Sequence, residues 1–233
     1  MQNFIFKKVY LSDNDLMYKI YKLRFQVYCK ECGFIKEEDY HDQIEFDEYD
    51  AKQAVHFAAL NEDGELVGTM RMILPGDLPL PIEKHCPDVK IDKYAFEAGR
   101  AMEISRLVIS KHLRRRKDDG RYYGPQVRDK EGTGKDGNQF VRRVRPMAFG
   151  LYREVYRECK RRGITHWYAL MEKGLWLLLR IHGFNFERIG DEVDVYGPVC
   201  PYLGRTEVFE KEIKEKFPDF FNYFTEPDVS FCN

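Results

Sequence analysis

Hydrophobic positions change period several times along the chain, and those changes divide it into elements. Phe4 to Leu11, apolar and aromatic around Lys7-Lys8, reads as a short strand. Ser12 and Asp15 give a capping signal, after which Leu16, Ile20, Leu23 and Val27 recur at helical spacing. The acidic run from Tyr40 to Asp50 has no period and predicts an ordered loop or flap. Val55 to Leu60 and Glu65 to Leu74 predict a hairpin over the turn Asn61-Glu62-Asp63-Gly64, and the proline-rich Pro75 to Pro87 an irregular connection. Gln139 to Arg162 predicts a long basic helix that Gly163 stops and that Pro146 delays or kinks. Then come a strand over Ile164 to Met171, a helix over Lys173 to His182, a strand-like stretch from Phe186 to Tyr196, and a last amphipathic helix at about 207–224. An early hairpin with a late strand-helix-strand implies a mixed α/β sheet.

One stretch breaks these patterns. Met102 to Ser110 reads as a buried strand, yet it holds Glu103 and Arg106 in its interior. Its apolar residues also change phase, because Met102 and Ile104 share one face while Leu107 and Ile109 share the other. A β-bulge between Ile104 and Leu107 accounts for the slip and brings Glu103 and Arg106 to one side. Buried charges need partners. Arg71 lies on a strand with two apolar faces, and Arg24 lies beside the apolar stripe of the first helix. Asp47, Asp50 and Glu103 are the carboxylates in reach, so three arginines and three acids are expected to satisfy one another around a cleft.

Composition adds bounds. The 233 residues are 43% hydrophobic and 15% aromatic with a net charge of −1, which fits one globular domain spanning 1–233 and gives no global reason to expect a nucleic-acid partner. No apolar run is long enough to span a bilayer, and the opening residues lack a signal-peptide pattern, so a cytoplasmic address is expected. Six scattered cysteines point to reduced thiols. Cys29 and Cys32 form a lone C-x-x-C without further ligands, so helix-end packing is expected rather than a metal site. A charged, glycine-rich insertion is expected at about 114–138.

The charged positions also carry a resemblance. Arg24 in L-R-F-Q-V-Y, F-D-E-Y-D from Phe46 to Asp50, Arg71 in G-T-M-R, and Glu103 with Arg106 in E-I-S-R resemble, in order and spacing, the signature of acyl-homoserine-lactone synthases, which have the GNAT acyltransferase fold. The phrases F-Q-V-Y-C-K-E-C-G-F, H-F-A-A-L and L-P-I-E-K-H-C are closer to the acyltransferases associated with exosortase and PEP-CTERM protein sorting, which are similar to N-acyl amino acid synthases. The resemblance is dense from about Leu16 to Leu113. Tyr28 stands where lactone synthases usually have phenylalanine and Phe34 where they have tryptophan. Those aromatics shape the pocket for an adenosylmethionine-type substrate, so their change points away from lactone synthesis.

The resemblance implies a GNAT-like fold whose fourth and fifth strands splay apart. It implies an N-acyltransferase that moves an acyl group from acyl carrier protein or coenzyme A to a small amine such as an amino acid, with no permanently bound cofactor and no metal. The amine must lose a proton, which calls for a carboxylate. Glu103 is the first candidate base and Asp47 the second. Arg24, Tyr28, Phe34, Asp50, Arg71, Ser105 and Arg106 are candidates for binding substrate or organising the site, and backbone amides at the bulge for stabilising the oxyanion. The glycine-containing pyrophosphate loop of GNAT enzymes is replaced by His112-Leu113-Arg114-Arg115-Arg116. Arg114, Arg115, Arg116, Arg142 and Arg143 are candidates for docking an acidic carrier or its phosphopantetheine. Lactone synthesis, a non-catalytic acyl-carrier or lipid sensor, and a basic nucleic-acid-binding module are the alternatives.

Overall fold

A computed structural model describes residues 4–110, 137–195 and 197–226, and for 137–146 the backbone alone. Strand β1 (Ile5–Val9) leads into helix α1 (Asn14–Phe25). Asp13, between the two residues of the expected signal, is the cap, and its Oδ1 accepts the Leu16 N–H at 3.2 Å. The helix continues as a π-helical turn over Gln26–Glu31. The acidic run is not a loop throughout, since Glu48–Lys52 forms α2, opened by a capping box between Asp47 and Asp50. Strands β2 (Ala54–Leu60) and β3 (Leu66–Ile73) make the expected hairpin, with Gly64 at φ +75° in its turn.

Inside the connection expected to be irregular lies α3 (Pro81–His85), which begins on Pro81, a residue suited to a first helical position because no donor is needed there. Helix α4 (Lys93–Glu97), strand β4 (Ala101–Ile109) and the long helix α5 (Gly137–Arg162) follow. Helix α5 runs unbroken through Pro146, and Gly163 ends it at φ +72°. The insertion expected at about 114–138 lies almost wholly outside the described residues.

After strand β5 (His166–Met171) and helix α6 (Lys173–Ile181), the stretch expected to be one strand is two short ones, β6 (Glu187–Arg188) and β7 (Val193–Asp194). The main partner of β5 is instead β8 (Pro198–Arg205), a strand absent from the sequence reading because Pro198 and Pro201 mark it as poor strand material. The single last helix is also two, α7 (Thr206–Lys216) and α8 (Pro218–Thr225), since Pro218 starts a new helix rather than continuing the old one.

The sheet runs in the order β1-β2-β3-β4-β5-β8-β6, with β7 paired to β8 off that path. Its neighbours are antiparallel except β4 and β5, which are parallel and paired only from Ala101–His166 to Ile104–Ala169. Beyond Ile104 and Ala169 the two strands part. The cause lies in β4. Thr69 pairs Val108 and Arg71 pairs Ser105, so two steps along β3 match three along β4, and Arg106 takes a positive φ of 52°. This is the bulge that the phase slip required. It returns Leu107 and Ile109 to the side of Met102 and Ile104, where α5 packs over a core that includes Met70, Met72 and Trp167. The opposite face carries Tyr49, Ile73, Ile82 and Tyr168, with α1 covering a third cluster around Ile20 and Ala58.

Candidate active site

The polar face of β3 and β4 meets α1 and the start of α2 in a buried ion cluster. Arg24 Nε pairs with Glu45, and its Nη1 and Nη2 grip Asp50 at 2.8 and 3.1 Å. Arg71 Nη1 reaches Asp47 at 2.6 Å and Asp50 at 2.8 Å, while its Nε donates to Ser105 Oγ at 2.9 Å. Arg106 donates to Glu45 from Nε at 3.1 Å and from Nη2 at 2.9 Å, and reaches Asp47 at 3.3 Å. Three guanidiniums thus face three carboxylates, and the cluster is neutral as a unit, which is what permits its burial. Burial works against the Asp50 carboxylate, but Arg24 and Arg71 outweigh it and hold the group well below the usual carboxylate range. Glu45 is likewise held low by Arg24 and Arg106 against its burial.

Glu45 corrects the expected arrangement. The third acid of the cluster is Glu45, not Glu103. Its signal in the sequence is a charge bracketed by Ile44 and Phe46, next to the more acidic F-D-E-Y-D run. His56 was missed too; its Nε2 lies 3.7 Å from Asp50 Oδ1, and burial pushes its pKa down to about 4, so it stays neutral.

Glu103 stands apart from these pairs. Its Oε2 accepts the Ile82 N–H at 2.8 Å, at the start of α3. Burial pushes its pKa up to about 8, with the Ile82 N–H and Arg71 acting in the opposite direction. A carboxyl poised near neutral pH, next to a cluster that fixes its surroundings, is suited to taking a proton. Asp47 has a side chain one-quarter exposed and is tied by Arg71, Arg106 and the Tyr49 N–H.

The bulge brings Glu103 and Arg106 to the same cleft, which Asp47, Arg71 and Ser105 also line. Tyr28, on the π-helical turn, closes one wall. Its hydroxyl donates to the carbonyl of Leu107 at 3.5 Å, its ring lies 6.1 Å from Phe34, and Arg106 sits over it. The cleft, about 780 Å³, passes through the opening between β4 and β5. On the far side its lining is apolar, with Ile109, Ala148, Phe149, Tyr152, Leu175 and Leu179. One end is therefore charged and the other greasy.

Among the candidate docking residues, Arg114, Arg115 and Arg116 lie outside the described residues, as do the side chains of Arg142 and Arg143. The basic end of α5 is largely spoken for within the chain. Arg157 pairs with Glu154, Lys160 with Glu210, and Arg161 and Arg162 with Glu158. Cys29, Cys32, Cys86, Cys159 and Cys200 are free thiols, and no group of His, Cys, Asp and Glu suited to a metal occurs among the described residues.

Comparison with known proteins matches residues 23–119 to the acetyltransferase (GNAT) domain family. The chain also superposes on several solved acyl-transferring synthases. The AHL synthase LasI gives a TM-score of 0.61 at 17% identity, over 88% of this chain and 91% of that one. The fold is GNAT-like. BjaI, a CoA-dependent acyl-homoserine lactone synthase solved with SAM and isopentyl-CoA, gives 0.63 at 16% identity, over 97% of this chain and 92% of its own. FeeM, an N-acyl amino acid synthase from uncultured soil microbes, gives 0.57 at 12% identity, over 93% and 98%. No curated protein matches in sequence.

Proposed function

We propose that this protein is an N-acyltransferase, one domain throughout, that moves a fatty acyl group from an acyl thioester to an amine such as that of an amino acid. The observation that carries this reading is the single cleft that joins a charged end to an apolar arm through the gap between β4 and β5. A thioester whose carbonyl lies in the gap has its acyl chain in the apolar arm and its carbonyl carbon near Glu103. The amine attacks that carbon, a C–N bond forms, and the charge passes to the carbonyl oxygen, for which backbone amides at the bulge are the candidate donors. Glu103 takes the amine proton directly or through water, with Asp47 as the second candidate. Collapse breaks the C–S bond, and the departing thiolate takes up the proton held by Glu103, directly or through water, leaving as the thiol and restoring the base. Arg24, Arg71, Arg106, Asp50 and Ser105 hold this geometry, while Tyr28 and Phe34 shape the acceptor side.

The donor is acyl carrier protein or coenzyme A, with Arg114, Arg115, Arg116, Arg142 and Arg143 as the proposed docking cations. The CoA-dependent relative and the N-acyl amino acid synthase of the same fold support the thioester donor and the amine acceptor. Association with the exosortase system rests on the sequence phrases quoted above. Lactone synthesis is the alternative within the fold, and Tyr28 and Phe34 weigh against it. Pairing of the α5 cations with Glu154, Glu158 and Glu210 weighs against a nucleic-acid surface.

The test is thiol release from acyl thioesters of both carriers in the presence of a panel of amino acids, with mass spectrometry of lipids from expressing cells to identify the product. Amine-dependent release with an N-acyl product is expected. Acyl-chain binding without release from any thioester and amine would make the protein a sensor instead.

A further inference from the structure

We infer that the outward face of helix α6 docks on an anionic lipid surface. The nine residues of this helix, Lys173–Ile181, are apolar on two sides. Leu175, Leu178 and Leu179 face inward and line the cleft. Leu177, Arg180 and Ile181 fall at helical spacing on the opposite side, where Leu177 is 39% and Ile181 63% exposed, and Lys173, at the first turn, borders both that side and the cleft. Both cations are exposed, the helix carries no acid, and neither cation has an acidic partner among the described residues. Arg180 instead lies over the Trp176 ring at 5.2 Å.

The apolar surface continues onto exposed Phe217, whose ring stacks at 6.4 Å on His182, the neighbour of Ile181. Glu215 and Asp219 flank Phe217 and mark the edge of the cationic area. Exposed aliphatics interspersed with cations that have no acidic partner among the described residues are what an interfacial helix presents to anionic headgroups and the acyl boundary beneath them. An acidic protein would satisfy the cations but leave less use for Leu177 and Ile181. No helix among the described residues is long and apolar enough to cross a membrane, so α6 would lie on the surface.

The benefit to the reaction, which rests on the proposed function, is that α6 is also a wall of the acyl arm. A fatty product leaving that arm meets lipid rather than water. The docking itself needs no turnover and is measured without substrate.

The experiment is co-sedimentation of the purified full chain with phosphatidylcholine vesicles that contain or lack phosphatidylglycerol. Binding is expected with phosphatidylglycerol alone and should weaken as salt rises. Leu177→Gln with Ile181→Gln should lower partitioning by about tenfold or more, and Arg180→Gln should reduce the dependence on salt. Thermal melting and turnover of a short-chain thioester should be unchanged in these variants, because none of the three side chains lines the cleft. Failure of the wild type to bind overturns the proposal. So does binding unaffected by the double variant, a variant that changes the oligomeric state, or one that loses acyl-carrier-protein binding while keeping vesicle binding. Loss of docking with turnover intact would leave the N-acyltransferase reading standing, and the converse would leave the docking standing.

Discussion

Glu103 concentrates the chemistry of the site in one carboxyl, because burial raises its pKa to about 8 while the Ile82 N–H keeps a hydrogen bond to the anion. As a base it must be ionised, so kcat/KM should rise with pH through about 8. In Glu103→Gln that limb should vanish and turnover should fall by roughly 10²- to 10⁴-fold, read from pH-rate profiles of thiol release. Stability runs the other way. The folded protein holds this proton above the ordinary value of 4.5, so unfolding free energy should fall as pH rises from there towards about 8, and the Gln variant should lack that slope in pH-dependent melts. Unchanged turnover in the variant would move the base to Asp47. Arg24, Arg71 and Asp50 were readable as an ion cluster, since charges among apolar neighbours must be paired. The substitution of Glu45 for Glu103 as the third acid was not readable, because several carboxylates lay within sequence reach and three-dimensional proximity chose between them.

At the scale of elements, the bulge in β4 was legible, because side chains alternate strictly along a strand and a slip of one residue exposes itself. The capping box at Asp47 and Asp50 had the right residue types but was hidden by the acidity of its surroundings. Strand β8 was hidden by its prolines, yet it makes the longest pairing to β5, over six residues. Its Gly204 shows how tightly it is packed, for a Cβ there would stand 2.1 Å from Phe209 Cζ and 2.8 Å from Phe186 Cε1. Both rings are almost wholly buried and have no room to turn aside. Gly204→Ala should therefore cost about 1–3 kcal/mol of stability by overpacking, seen as a lower midpoint in chemical denaturation. A midpoint equal to that of the wild type would mean that α7 shifts freely on β8.

Across the whole molecule, the cleft exists because two strands that begin as neighbours separate after Ile104 and Ala169, and because α5 and α6 line the gap with apolar side chains. Acyl length then depends on how much of the arm is open. Ala148 is a small residue of that lining contributed by α5, and Ala148→Leu should shorten the preferred chain. Each methylene excluded is worth about 0.8 kcal/mol, so losing room for two should lower kcat/KM for long thioesters about tenfold relative to short ones. A uniform fall across chain lengths would place the acyl group elsewhere.

Periodicity and buried charge, both local properties, were enough to determine from sequence the mixed sheet, the hairpin, the bulge and the set of arginines that require acids. They act between neighbours along the chain, so they can be read along it. Which acid each arginine takes, the short α3 that delivers an N–H to Glu103, the proline-bearing β8 and the passage through the sheet all depend on contacts between distant segments. Only the tertiary structure decided those, since burial, pairing and void space are properties of the packed whole.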